Sequence, residues 1–326
     1  MISSLPAILL ACFVSRQVLK SRASPATPAP REQQPLISEK PYSNIKGTAP
    51  ISKMAITMSA AKSFRILVIN PNSNKDMTRG LDLLIKSLSF SDLTQVTTYS
   101  APSGPNSINN EDDAAETAVI ILKDFEQNPA LNDYDAYVVA CYSQHPLVPA
   151  LRKRQTTAEG TIKPVIGIFE ASISTSLNIV NSSGLVFAPG TEKESVPSKF
   201  GIVTTGKAWI PLLTSGVNHY LGLGDEESKS LSARFKGVES TGLNADELHT
   251  APEEEVRQRM VEATVRQVKD KDVCVVVLGC AGMAGMDKIV REACMKELGD
   301  EDGQKVVIVD GVKGAIAMAD GMLRSM

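Results

Sequence analysis

Two stretches of this chain follow one plan, and that repeat limits the possible folds more than any other feature. The first opens with the apolar run Arg65-Ile66-Leu67-Val68-Ile69, and its third run, Ala136-Tyr137-Val138-Val139-Ala140, is closed by Cys141. The second opens with Phe200-Gly201-Ile202-Val203-Thr204-Thr205, and its third run, Val273 to Leu278, is closed by Gly279 and Cys280. Val68 to Cys141 is 73 residues and Val203 to Cys280 is 77; Cys141 to Val165 is 24 and Cys280 to Val306 is 26. Unrelated halves rarely agree at every step.

The runs are short, continuous and rich in β-branched residues, with amphipathic stretches between them. That is the pattern of parallel strands buried on both faces and joined by helices. Strands are predicted over 65–69, 95–100, 136–140, 164–169, 200–205, 233–238, 273–278 and 306–309, and helices over 75–89, 112–126, 252–268 and onward from Glu170. The expected fold class is α/β: two similar Rossmann-like lobes with parallel sheets, related by a pseudo-twofold, with the active site in the cleft between them. The first lobe is expected over 64–190 and the second over 191–310, with Thr191 to Pro197 as an exposed linker. A C-terminal helix over 311–326 is the candidate return to the first lobe.

Residues 1–63 stand apart. A short apolar run is followed by Arg16, Lys20 and Arg22, no acidic residue precedes Glu32, and six prolines fall between Pro25 and Pro50. Such a stretch buries too little apolar surface to order itself. Three readings stay open: an organelle transit peptide, a disordered tail, or a start codon chosen upstream of Met54 or Met58.

Composition narrows the function classes. Apolar residues make up 43% and charged residues 22%, as in soluble globular proteins. A net charge of -3 leaves no basic footprint for nucleic acid, and no apolar run is long enough for a membrane span. The expected partner is a small-molecule substrate, with no nucleic acid and no membrane. A symmetric homo-oligomer is the common default for such chains. The five cysteines, Cys12, Cys141, Cys274, Cys280 and Cys294, are odd in number and widely spaced, with no CxxC pair. They fit neither a disulfide scaffold nor a zinc site. Reduced thiols place the chain in a reducing compartment, the cytoplasm, while the N-terminal extension leaves mitochondrial targeting open. The run Gly279-Cys280-Ala281-Gly282 lacks the spacing of a phosphate loop.

In open parallel sheets ligands sit beyond the carboxyl ends of the strands. Cys141 and Cys280 fall at such ends, as do Asn70, Thr204, Thr205, Glu170 and Asp310. A buried cysteine is usually an inert small hydrophobe, which suits Cys274 inside an apolar run and Cys294 on a helix. The matched strand-end positions of Cys141 and Cys280 argue for chemistry instead. His145 is either a base for Cys141 or, with Pro146 marking a turn, a loop-bonding histidine. Glu170 and Asp310 either favour helix N-termini electrostatically or face the cleft.

These motifs resemble a known family. Ile69-Asn70-Pro71-Asn72-Ser73, Val139-Ala140-Cys141-Tyr142, Pro164-Val165-Ile166-Gly167-Ile168-Phe169-Glu170-Ala171, Leu278-Gly279-Cys280-Ala281-Gly282-Met283 and Asp310-Gly311-Val312 are similar to segments of the hydantoin racemase branch of the aspartate/glutamate racemase superfamily. The likeness runs from Phe64 to the C-terminus, with an overall look of the fungal branch associated with allantoin catabolism. It implies metal- and cofactor-free epimerisation of a hydantoin-like substrate, allantoin or a 5-substituted hydantoin, with Cys141 and Cys280 as the two proton-transferring residues. One departure is visible: where bacterial members carry a GDPG-like turn after the first cysteine, this chain has Tyr142-Ser143-Gln144-His145-Pro146.

Two thiols suit that chemistry because racemisation removes a proton from one face of a carbon and returns one to the other. A thiol with a pKa of about 8.5 is only a few per cent thiolate near neutrality, and a helix N-terminus would lower it. Thiolate character at one of the two is therefore expected. Asn70, Ser73, Thr204 and Thr205 are candidates for the substrate's polar edge, with Ser103 and Ser143 behind them. Backbone N–H groups at Ala281 and Gly282 are candidates for an oxyanion site. Ser73 also reads as the N-cap of the first helix. Two alternatives stand beside a racemase: a decarboxylase or cis–trans isomerase of the same fold, and a non-catalytic small-molecule sensor.

Overall fold

The computed structural model describes residues 62–88, 93–156, 160, 162–183, 199–223 and 234–326, all within one unit spanning Met58–Met326. The extension up to residue 61 and the expected linker at 191–197 lie outside the described residues.

The strands are β1 Phe64–Asn70, β2 Thr94–Ser100, β3 Ala136–Val139, β4 Val165–Gly167, β5 Lys199–Thr204, β6 Phe235–Ser240, β7 Val273–Gly279 and β8 Val307–Asp310. The helices are α1 Lys75–Ser87, α2 Glu111–Gln127, α3 Leu147–Arg154, α4 Ile168–Ser183, α5 Trp209–Tyr220, α6 Glu247–Thr250, α7 Glu253–Val268, α8 Asp287–Leu298, α9 Asp300–Lys305 and α10 Gly311–Ser325. None of them is long and apolar enough to cross a membrane. The strands form two parallel four-stranded sheets, ordered β2-β1-β3-β4 and β6-β5-β7-β8. The repeat in the sequence is thus a repeat of topology.

The period of two along each strand sorts the core into layers. Ile66, Val68, Ala136 and Val138 of the first sheet share one cluster with Phe200, Ile202, Val275 and Val277 of the second. The alternate residues face outward. Leu67, Ile69, Tyr137 and Val139 pack beneath Ile121 and Phe125 of α2 and Leu147 and Leu151 of α3. Val203, Val276 and Leu278 pack beneath Met260 of α7 and Val290 of α8. Burying each such side chain contributes about 1.5–3 kcal/mol.

The inner layer is exchanged between the sheets. Helix α4 follows the first sheet's last strand but packs on β5, β7 and β8; α10 follows β8 but packs on β1, β3 and β4; and the two helices pack on each other. Their N-terminal ends meet closely. A Cβ placed on Gly311 would lie 2.7 Å from the Ile168 carbonyl oxygen.

Three local readings change. The helix expected from Glu170 begins at Ile168, and the strand before it ends at Gly167. The N-cap of α1 is Asn74, whose side chain accepts from the N–H groups of Asp76 (2.9 Å) and Met77 (3.2 Å). Ser73 turns instead to the neighbouring loop, donating to the Gly104 carbonyl at 2.8 Å. Helix α5, which follows the second lobe's opening strand, carries no distinct sequence signal beyond the repeat.

Gly311→Ala is expected to lower the free energy of unfolding by about 1–3 kcal/mol, because the methyl group meets backbone that cannot rotate away. Gly321→Ala, later on the same helix with open space around its added methyl, is expected to raise stability by about 0.5–1 kcal/mol. Urea midpoints of the two variants read the difference; equal effects would sink the close-approach argument.

Candidate functional site

At the switch point of each sheet, where neighbouring connections leave in opposite directions, the strand pair β1–β3 or β5–β7 ends side by side. Ile69 pairs with Val139, which sets Cys141 just beyond that pair. Thr204 pairs with Gly279, which sets Cys280 at the equivalent place in the other lobe. The two thiols line one cavity of about 40 Å³, whose wall also includes Asn72, Tyr142, Thr204, Thr205 and Trp209. Among the described residues, none with a charged side chain lines it. Among the described residues no group of three His, Cys, Asp or Glu is placed to hold a metal ion.

Three polar side chains of the wall are pinned. Asn72 Oδ1 accepts from Asn70 Nδ2 (2.9 Å) and the Asn74 N–H (3.0 Å). Tyr142 shares a 2.8 Å hydrogen bond with Ser172 and packs edge-on against Phe169, with ring centroids 5.4 Å apart. The Thr204 hydroxyl donates to the Gly279 carbonyl at 3.0 Å, tying the two strand ends together.

The remaining candidates fall in different places. Asn70 is buried beneath the turn and its Nδ2 donates inward, to Asn72, Asn74 and Thr78; it organises the loop from which Asn72 reaches the cavity. Ser73 and the exposed Ser103 do not line the cavity. Ser143 lies behind it, with Oγ 3.5 Å from Cys141 Sγ. Thr205 and Ala281 line it, while Gly282 does not. The Gly282 N–H donates to Cys280 Sγ at 3.3 Å, and so stabilises a thiolate there rather than a substrate oxygen. Asn72, Tyr142 and Trp209 were not singled out from sequence. Asn72 and Tyr142 stood inside the quoted motifs; Trp209 carried only its rarity as a signal.

Burial dominates the electrostatics. It pushes the Cys141 thiol up to about 12 and the Cys280 thiol up to about 11. The Gly282 and Met283 N–H groups pull Cys280 partly back, the Ser143 hydroxyl does the same for Cys141, and Cys280 itself raises Cys141. The expected resting thiolate is therefore absent: both thiols are neutral at pH 7. The helix-terminus argument fails at Cys141 because α3 starts only at Leu147. At Cys280 it survives as the single 3-10 turn Ala281–Met283.

The neighbouring ionisable groups have structural positions. His145 is buried; its Nδ1 accepts the Leu147 N–H (3.2 Å) and its Nε2 meets Thr117 Oγ1 (3.2 Å), so it is loop-bonding and is not paired with Cys141. Asp310 caps α10, accepting from the N–H groups of Val312 (2.8 Å) and Lys313 (3.2 Å). Glu170 sits in the first turn of α4. Burial raises the pKa of both carboxyls, and neither lines the cavity.

Burial lowers the His145 pKa from 6.5 to about 4. Below pH 6.5 the unfolded chain takes up a proton that the folded one refuses, so stability falls as pH drops through that window. His145→Gln is expected to remove about 2 kcal/mol of the loss between pH 7 and pH 5, at about 1.4 kcal/mol per unit. Urea unfolding of both proteins at the two pH values measures it; parallel losses would contradict a buried neutral imidazole.

A family model for Asp/Glu/Hydantoin racemase matches residues 66–319. An uncharacterised protein of Schizosaccharomyces pombe is 32% identical over 260 residues, covering 80% of this chain and 92% of its own. The hydantoin racemase of Pseudomonas sp. (strain NS671) is 26% identical, covering 78% of this chain and 84% of its own. The solved allantoin racemase from Klebsiella pneumoniae shares the fold, with a TM-score of 0.58 at 24% identity, over 80% of this chain and 88% of that one. With all eight strands but the first two residues of β1, and both cysteine-bearing strand ends, inside the matched region, the chain belongs to the Asp/Glu/hydantoin racemase family, in its hydantoin racemase branch.

Proposed function

We propose that this chain racemises a neutral cyclic ureide, a 5-substituted hydantoin or allantoin, by proton transfer between Cys141 and Cys280 without a cofactor. The observation that carries the reading is one cavity with a thiol from each lobe and, among the described residues, no charged side chain in its wall. A free amino acid, a malonate or a maleate would bring a carboxylate into that wall. Burying an ion with no partner costs several kcal/mol. An uncharged ring costs far less, and its amide N–H and C=O groups match Asn72, Thr204 and Thr205. The name of the Klebsiella pneumoniae neighbour, an allantoin racemase, points the same way.

In the proposed step one sulfur, as thiolate, takes the proton from the ring carbon. The C–H electron pair moves onto the adjacent carbonyl oxygen as an enolate. The opposite thiol then gives its proton to the other face, and the two sulfurs exchange roles. The Gly282 N–H on Cys280 Sγ makes Cys280 the first of the pair to ionise. Since burial holds both thiols neutral at rest, deprotonation is part of the barrier.

Two measurements test the reading. Single enantiomers of allantoin and of 5-substituted hydantoins are incubated with the protein in D₂O, following optical rotation and deuterium at the ring carbon. Rotation is expected to decay with deuterium uptake, and Cys141→Ser or Cys280→Ser to slow it by about 10²–10⁴-fold. Retained racemisation in either variant would defeat the two-thiol mechanism, and carbon dioxide release from a malonate would replace it with decarboxylation. The second measurement is pH dependence. With the thiols pushed up to about 11 and 12, kcat/KM is expected to climb roughly tenfold per pH unit between pH 7 and 9. A flat profile there would mean that a thiolate already exists at rest.

A further inference from the structure

Among the described residues, one hydroxyl in the cavity wall has its hydrogen uncommitted. Thr204 gives its hydrogen to the Gly279 carbonyl. Ser172 donates to the Phe169 carbonyl at 2.8 Å, so in its bond with Tyr142 the tyrosine is the donor. The Asn72 amide nitrogen meets Met77 Sδ at 3.4 Å. The Thr205 hydroxyl lines the cavity with no partner among the described residues, and apart from the thiols the indole N–H of Trp209 is the other side-chain donor of the wall in that position. What distinguishes Thr205 is how its backbone is held. Its carbonyl accepts from three groups at the end of β6: the Ser240 hydroxyl, the Thr241 hydroxyl at 3.5 Å and the Gly242 N–H at 3.2 Å. Ser240 and Thr241 are both buried. Two buried hydroxyls and an amide converge on one carbonyl just past the end of β5.

The other lobe supplies the comparison. Thr204 pairs with Ser240 as Asn70 pairs with Ser100, so Thr205 corresponds to Pro71 and Thr241 to Ala101. The bond at the strand ends is kept: the Thr241 N–H donates to the Thr204 carbonyl at 2.8 Å, and the Ala101 N–H to the Asn70 carbonyl at 3.1 Å. The clamp is not kept. Ser100 turns to Thr78 at 2.5 Å, Ala101 has no hydroxyl, and Pro71 has no donor.

We propose that Thr205 is a catalytic residue whose hydroxyl donates to the carbonyl oxygen on which the enolate charge develops, and that Ser240 and Thr241 are positioning residues acting through it. As a sulfur removes the proton, the C–H electron pair moves to that oxygen. The Thr205 hydrogen bonds the oxygen without being transferred, and the pair returns to carbon when the opposite thiol gives its proton. A donor fixed in place before the reaction stabilises the developing charge without reorganising. Its presence in one lobe suits a hydantoin-like ring, whose reacting carbon has one carbonyl neighbour and one nitrogen neighbour. The Thr204 hydroxyl, its hydrogen directed to Gly279, is left as an acceptor for a ring N–H. This role rests on the racemase reading for its substrate, but its readouts are separate.

Thr205→Val, which keeps the shape and removes the hydroxyl, is expected to lower kcat for 5-substituted hydantoins by about 10²–10³-fold. KM is expected to change much less, and Thr205→Ser to recover most of the rate; Thr205→Ala replaces the valine variant should that one fail to fold. Ser240→Ala, alone or with Thr241→Val, is expected to lower kcat by about tenfold or more while Thr205 is present. Added to Thr205→Val, the same changes are expected to leave kcat where it was, although the urea midpoint falls in both backgrounds. Unchanged kcat in Thr205→Val and Thr205→Ala overturns the role of Thr205. A loss from Ser240→Ala that carries over undiminished into the Thr205→Val background overturns the clamp. A loss found in Trp209→Phe, which removes the indole N–H, and not in Thr205→Val overturns the choice of donor. Each of these leaves the racemase standing. If the unaltered protein racemises no ureide, the racemase reading falls and the role of Thr205 falls with it.

Discussion

The structure depends on the exchange of its two inner helices. Each sheet has one face covered by helices of its own lobe, α2 and α3 or α7 and α8, and needs an apolar layer on the other. That layer is completed by the helix that follows the last strand of the opposite lobe. Because α4 and α10 are exchanged, neither sheet can bury its inner face without the other, and the lobes share a central core cluster between their two outer ones. The crossing is tight enough that Gly311 meets the carbonyl of Ile168 with no room for a methyl group. That contact joins the first turns of the two helices, which follow β4 and β8 directly. Residues 139 positions apart in sequence, Cys141 and Cys280, share one wall.

The same burial sets the chemistry. A thiol at a strand end on the surface would titrate near 8.5; here exclusion of water lifts both well above that. The effect opposes nucleophilic use of the free protein, since neutral thiols are poor nucleophiles and poor targets of oxidation. It favours proton transfer within a closed complex, because a base poised far above neutral pH takes a proton from a weak carbon acid readily once it is formed. The backbone donors on Cys280 break the symmetry of the pair. The proposed racemisation, which must run in both directions, would tolerate a modest difference between its two bases, since each would serve as acid for one enantiomer and as base for the other.

Much of this was legible in the sequence, for physical reasons that differ by element. Strands buried on both faces have to be continuous apolar runs, so β1, β3, β5 and β7 were placed to within a residue or two. The cysteines stood out because the repeat put them at equivalent strand ends. The polar half of the site was harder. Asn70, Asn72 and Asn74 lie in one five-residue turn, and which of them reaches the cavity depends on hydrogen bonds that sequence does not display: Asn70 turns inward, Asn74 caps the helix and Asn72 is left facing the thiols. Ser73 and Ser103 are chemically suitable and point elsewhere. The thiol pKa was misjudged because proximity to a helix start is a local feature, whereas desolvation is a property of the assembled core. Trp209 escaped notice because nothing in its neighbourhood, Lys207-Ala208-Trp209-Ile210, marks a site.

The uncharged wall constrains the substrate more than the cysteines do. Two thiols flanking a carbon would serve any carbon acid of suitable shape, and the family match extends to aspartate and glutamate in its description. What separates those substrates from a cyclic ureide is charge. A zwitterionic amino acid needs a cation for its carboxylate, and removing its α-proton places a second negative charge beside the first. Among the described residues no lysine, arginine or histidine lines the wall to meet either charge, and the strand-end carboxyls Glu170 and Asp310 are themselves held toward the neutral form by burial. A ring with no carboxylate avoids both penalties: its carbonyl accepts the developing charge, and its flanking nitrogens already acidify the carbon.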